Sequence, residues 1–220
     1  MKKVLRNNQG FSILEVVVVL AVLGALAAML SPVVFRYVED ANRARAQQDT
    51  RTIATAIQQA YSDTGRWPFY KTGNGATAYT SGTDAALLFT SSNACASNAV
   101  VTANAEAPTA TGAGWNLATA KCDTLTNQLI ANSPFSGNGG VAYLTTGARR
   151  WQGPYTETLP AFDAWNKSYV VNIGDAGANT DAVLVISSGP DGILQTSADQ
   201  ALTSNAGALS TSDDIVTRVK

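Results

Sequence analysis

The chain has 220 residues, 15 basic and 16 acidic, for a formal charge of −1, with two cysteines and no histidine. That length supports one domain with its own core plus an extra segment. The even charge balance argues against nucleic-acid recognition, which needs an excess of Lys and Arg, and the missing imidazole excludes His-based triads and zinc sites built on histidine.

Residues 1–10 carry Lys2, Lys3 and Arg6 and no acid. From Phe11 to Phe35 the chain is apolar, with Glu15 as its one charge. A hydrocarbon core of about 30 Å needs roughly 20 apolar residues, so this segment predicts a membrane-spanning helix. The basic flank should stay cytoplasmic and the remainder face outward. A secretory signal peptide has a shorter apolar region followed by a small-residue cleavage site. Here the small residue, Gly10, comes first. A cut after it would remove three basic residues and no acid, taking the formal charge from −1 to −4. Glu15 is costly within the bilayer, at about 2.5–3.5 kcal/mol near its centre. Either it sits at the headgroup level, hydrated or protonated, or a positive group pairs with it. Cleavage after Gly10 would create such a group on Phe11, and an identical amine on every neighbouring copy.

The run Gly10-Phe11-Ser12-Ile13-Leu14-Glu15, behind a short basic leader and ahead of a Val/Leu/Ala-rich helix with Pro32, resembles the class III signal of type IV pilins and type II secretion pseudopilins. The resemblance implies cleavage between Gly10 and Phe11 by a prepilin peptidase and N-methylation of Phe11. It also implies that Glu15 neutralises the Phe11 amine of an adjacent subunit during assembly. Neither Gly nor Pro interrupts the stretch from Val33 to Thr64, so the helix should continue, reaching about 75–80 Å over residues 11–62. Pro32 should kink it, and Gly24 is a second weak point or a close-packing site between helices. Ile53, Ala56, Ile57, Ala60 and Tyr61 recur at spacings of three and four, which makes an apolar stripe for a C-terminal sheet. Gly65 reads as the C-cap and Pro68 as a stop.

The organisation expected is a leader over 1–10, a membrane and polymerisation helix over 11–35, its amphipathic continuation over 36–65 and a globular domain over 66–220. Residues 71–124, rich in Ala, Thr and Ser, read as an exposed insertion of limited order. Cys95 and Cys122 flank part of it. Outside the cytoplasm a disulfide between them is expected, worth about 3–4 kcal/mol by loop-closure entropy; two buried thiols are the alternative.

Further on, Gly153-Pro154-Tyr155 and Leu159-Pro160-Ala161-Phe162-Asp163-Ala164-Trp165-Asn166-Lys167-Ser168-Tyr169 resemble the G-P-Y-L and L-P-x-D-P-W-G-x-P-Y of the major pseudopilin of type II secretion. Ala164, Asn166 and Ser168 stand where that pattern has Pro, Gly and Pro. Residues 169–173 and 182–187 read as strands of an antiparallel hairpin. Ser187-Ser188-Gly189-Pro190-Asp191-Gly192, with Ser212-Asp213-Asp214-Ile215 after a long Ala/Ser/Thr segment, resembles the family's S-x-G-x-D-G … D-I ending. The resemblance implies an α+β pilin fold: a long N-terminal helix on a small antiparallel sheet, with a calcium-binding C-terminal loop. Asp191 and Asp214 are the implied acidic ligands, with Asp213 adjacent and carbonyls near Val185 and Ser188 contributing. Ca2+ takes six to eight hard oxygens on such loops. A plain β-turn at Asp191-Gly192 and a solvated Asp213-Asp214 cap are the alternative.

The implied function is that of a non-enzymatic shaft subunit. It would polymerise with copies of itself into a pseudopilus that drives export across the outer membrane. Its partners would be the prepilin peptidase, the inner-membrane assembly platform and minor pseudopilins, with the membrane as its environment before assembly and no nucleic acid. It would sit in the inner membrane with its C-terminal domain in the periplasm. A type IV pilin of an external fibre, for adhesion, motility or DNA uptake, shares the N-terminus. The long insertion favours that alternative, and the C-terminal marks favour the pseudopilin. Carboxylates such as Asp163 and Asp191 form no paired acid/base or nucleophile motif.

Overall fold

The structure, a computed structural model, describes residues 11–68, 87–96, 99 and 100, 104–111, 115, 117, 121–135, 142–172, 182–197 and 212–219. In chain order its elements are α1 (Ile13–Thr64), β1 (Leu87–Phe89), β2 (Cys95–Ala96), β3 (Ala99–Val100), β4 (Thr109–Ala110), β5 (Cys122–Thr124), α2 (Leu125–Leu129), β6 (Val170–Asn172), β7 (Leu184–Ser187), β8 (Ile193–Leu194) and β9 (Ile215–Arg218). The chain divides into two compact units, residues 1–41 and 42–220, with α1 contributing to both.

In the first unit the described residues are exposed, and large apolar side chains run from Phe11, 88% exposed, through α1 to Val38, 52% exposed. The helix holds a stretch long and apolar enough to cross a membrane. Pro32 lies inside it and can offer no N–H to the preceding turn. Beside it, the Ser31 hydroxyl donates to the Ala27 carbonyl (3.0 Å). Around Gly24 a side chain would meet nothing within 4 Å.

The second unit is built on a five-stranded mixed sheet ordered β5-β1-β6-β7-β9. Leu88 aligns with Val171, Val171 with Val185, and Val185 with Thr217. Because strand side chains alternate between faces, this row turns Leu88, Val171 and Val185 towards α1. They join Ile53, Ala56, Ile57 and Ala60 in one core with Leu125, Leu129 and Tyr169. The Thr50 and Thr217 hydroxyls meet at 2.8 Å at the end of the same row. The apolar stripe of α1 is therefore as expected, except that Tyr61 is 40% exposed and stacks on Trp67 instead. Gly65 ends the helix at φ 67°, a conformation that glycine adopts without strain.

Two expectations need correction. The sheet is mixed rather than antiparallel, because β1 and β5 pair in parallel, Leu87 with Cys122 and Phe89 with Thr124. Both strands come from residues 71–124, and both are buried, so these parts of the segment are neither exposed nor loosely ordered. The reason is a second core. Leu87, Phe89, Val170, Leu184 and Ile186 face away from α1 and are covered by Ala107, Leu117, Leu194 and the paired Cys95 and Cys122. With apolar groups buried on both faces, the central strands read as unbroken hydrophobic runs. Residues 69–86 lie outside the described residues, as do Ile173 and the turn predicted at 175–179. The predicted antiparallel pairing of the two strands is present as β6 and β7.

Candidate functional site

The N-terminal motif opens α1. Ser12 is its N-cap: its hydroxyl accepts the Leu14 N–H (3.3 Å), and the Glu15 carboxylate accepts the Ser12 N–H (3.1 Å). This is a variant of the capping box, with the hydroxyl on the second helical N–H and the carboxylate of the third residue reaching back, and the favourable position of an acid in a first helical turn adds to it. Sequence reasoning assigned Glu15 to a neighbouring copy and missed this partner within its own chain. The spacing of Ser12 and Glu15, three apart ahead of an apolar run, was the available signal. Gly10 lies outside the described residues, so the cleavage junction has no structural description.

At the other end, β7 and β9 run antiparallel with Ser187 opposite Ile215. Continuing that register sets Ser188 across from Asp214 and Gly189 across from Asp213. A Cβ added at Gly189, which adopts φ 65°, would stand 2.5 Å from the Asp213 carbonyl. Asp213 Oδ2 accepts the Asp191 N–H (3.3 Å), and Asp214 Oδ2 accepts the Gln195 (2.9 Å) and Thr196 (2.6 Å) N–H groups. The second oxygens, Asp213 Oδ1 and Asp214 Oδ1, are buried without a hydrogen-bond partner, and so is Ser188 Oγ. Desolvation by burial pushes the Asp214 carboxyl up, helped by the charge of Asp213 and opposed by the Thr196 and Gln195 contacts.

Asp191 behaves differently. It is exposed, and both carboxylate oxygens are engaged, Oδ1 by the Ile193 N–H (2.8 Å) and Oδ2 by the Gln195 side-chain amide (2.7 Å). Val185 is not brought to the cluster. It sits inside β7, paired on both sides with Val171 and Thr217, so its carbonyl belongs to the sheet. Among the described residues no three Asp, Glu, His or Cys side chains gather closely enough to hold a metal by themselves. A cation here would combine carboxylate oxygens with hydroxyl, carbonyl or water oxygens, the hard donor set that Ca2+ prefers. Three orphaned buried oxygens fit such an ion.

The inserted segment braces this loop. β4 pairs in parallel with β8, Thr109 with Ile193, and the Trp115 indole N–H donates to the Thr196 carbonyl (2.6 Å). The Lys167 ammonium holds the Ala105 carbonyl (2.8 Å), and the Ser168 N–H donates to Glu106 (2.9 Å). A proline at 168 would lack that donor. Cys95 and Cys122 form a disulfide, their Cα atoms 5.9 Å apart.

Asp123 went unnoticed in the sequence. It is 2% exposed and accepts the Thr124 (2.8 Å) and Phe135 (2.8 Å) N–H groups together with the Asn127 (2.7 Å) and Gln128 (2.5 Å) amides. Its role is structural, since all four donors are neutral groups that tie β5, α2 and the turn at Phe135 together.

The first family match, the prokaryotic N-terminal methylation motif, covers residues 5–31. Together with a long apolar helix and a small mixed sheet, it supports a type IV pilin-like protein. The second match, Type II secretion system (T2SS) protein G, covers residues 136–206 and so takes in Gly153-Pro154-Tyr155, the Asp163 turn and Asp191-Gly192. The two matches together support a protein G-like chain, a pseudopilin or pilin-type structural subunit. That family is structural rather than catalytic. No curated protein and no solved structure matches the chain significantly.

Proposed function

We propose that the chain is the shaft subunit of a type II secretion pseudopilus. It is cleaved between Gly10 and Phe11 by a prepilin peptidase, methylated on Phe11, held in the inner membrane with its C-terminal unit in the periplasm, and polymerised through α1. The carrying observation is the presence in one chain of the methylation motif and of a protein G match over residues 136–206. Exposed apolar side chains from Phe11 to Val38 supply the surface that would exchange lipid for neighbouring helices. Glu15 would neutralise a neighbour's Phe11 amine, and assembly would involve the inner-membrane platform and minor pseudopilins. The C-terminal loop would bind Ca2+ through its acids, Asp191, Asp213 and Asp214, beside the open oxygen of Ser188. The ion would neutralise two adjacent acids and tie β9 to the loop after β7, stabilising the folded state by linkage.

Mass spectrometry of the chain recovered from its native host tests the maturation step, with a methylated Phe11 as the expected first residue. Deleting the gene should abolish export of the secretion substrates while leaving them folded in the periplasm. Continued export, or filaments outside the cell built from this chain, would instead favour the external pilin.

A further inference from the structure

The calcium reading assigns the acidic loop a cation, and the geometry divides its three aspartates unequally. Asp213 and Asp214 each use Oδ2 on a loop N–H and leave Oδ1 buried and unpartnered. Ser188, fully buried, adds a third oxygen without a partner, and the β7–β9 register sets it across from Asp214. Asp191, the acid that the family resemblance would put on the ion, has both oxygens committed to Ile193 and Gln195. It is exposed where the other acids are partly covered. Its link to Asp213 runs through its main-chain N–H. Among the described residues no three acids converge, so any cation here would need oxygens other than carboxylates to complete its shell.

Resting on that calcium reading, we propose that this chain holds its cation through Asp213, Asp214 and the Ser188 hydroxyl, with Asp191 as a positioning residue that folds the loop without touching the ion. Affinity at such sites follows the number of charged ligands. Loss of the Asp213 charge should therefore weaken the ion, whereas loss of the Asp191 charge should not. The Asp191 N–H survives a change to asparagine, so the contact with Asp213 remains.

The test is calcium titration of the full-length chain in detergent, read by calorimetry and by the thermal midpoint in Ca2+ and in EGTA. In the unsubstituted chain Ca2+ should raise the midpoint. Asp213→Asn should weaken calcium by at least about tenfold while its midpoint in EGTA holds or rises, because one of two adjacent like charges is gone. Ser188→Ala should also weaken calcium and leave the EGTA midpoint in place, since that hydroxyl gives up no hydrogen bond. Asp191→Asn should keep calcium affinity within roughly threefold, as its carboxylate is outside the ligand set. Loss of calcium binding in Asp191→Asn with retention in Asp213→Asn overturns the division of roles and leaves the calcium reading standing. The absence of any calcium effect on the unsubstituted chain overturns both.

Discussion

At Asn166 the main chain adopts φ 64°, the left-handed region that most side chains avoid. Asp163 organises this turn by accepting the Trp165 (3.0 Å) and Lys167 (2.8 Å) N–H groups on one oxygen and the Ser187 hydroxyl (2.7 Å) on the other. Glycine and asparagine both tolerate that conformation, so Asn166 keeps the turn where the family pattern has Gly. Asn166→Ala should cost about 1–2 kcal/mol and Asn166→Gly close to nothing, as read from urea unfolding midpoints. Tyr169 offers a pH-dependent counterpart. Its phenol is buried and donates to Asp49 (2.8 Å), and burial first, then the Asp49 contact and charge, push its ionisation well above the ordinary tyrosine range. The native state then keeps this proton after the unfolded chain has lost it at about pH 10. The contribution is complete below that pH, and stability should fall as pH rises above it. Tyr169→Phe should flatten this alkaline fall in unfolding experiments between pH 7 and 11, and lower the neutral-pH baseline by about 1–2 kcal/mol for the lost hydrogen bond.

The elements were legible to different degrees, and the differences have physical causes. α1 announces itself through long uninterrupted helical composition, the 3–4 spacing from Ile53 to Ala60, and Gly65 at its end. β6 and β7 announce themselves through consecutive apolar residues. Leu87–Phe89 and Cys122–Thr124 do not, because each is only three residues long and its partner lies far along the chain. Nothing local to Leu-Leu-Phe says that it pairs in parallel with a strand beyond Cys95. The acidic loop was found through its resemblance to a family ending, but the individual roles of Asp191 and Asp213 depend on which oxygens the turn consumes, and residue order does not reveal that. The two cysteines were the one visible hint that the insertion returns to the sheet. Their disulfide closes a sequence separation of 27 and ties β2 to β5 within the second core. Replacing both with serine should cost about 3–4 kcal/mol, measured as a lower calorimetric midpoint. Loss of this size should loosen the inserted layer before the face packed on α1, so amide exchange should quicken first at Phe89 and Leu194.

For the whole molecule, the exposed apolar length of α1 and the folded C-terminal unit serve different surroundings, the first an oily one and the second water. Under the proposed function, assembly into a fibre would depend on the first. Glu15→Ala should leave the chain folded and inserted yet remove it from sheared or cross-linked filaments by at least about tenfold, if pairing with a neighbour contributes upwards of 1.4 kcal/mol per junction. Normal fibre yield from that variant would contradict the pairing. The hydrogen bond from Ser12 to Glu15 adds a further condition. A protomer outside the fibre already has one neutral main-chain donor on that carboxylate, so the proposed pairing would bring a cation to an acid that is hydrogen-bonded but still charged. The new cation would then be weighed against the loss of a capping contact at the first helical turn, alongside the apolar burial along α1.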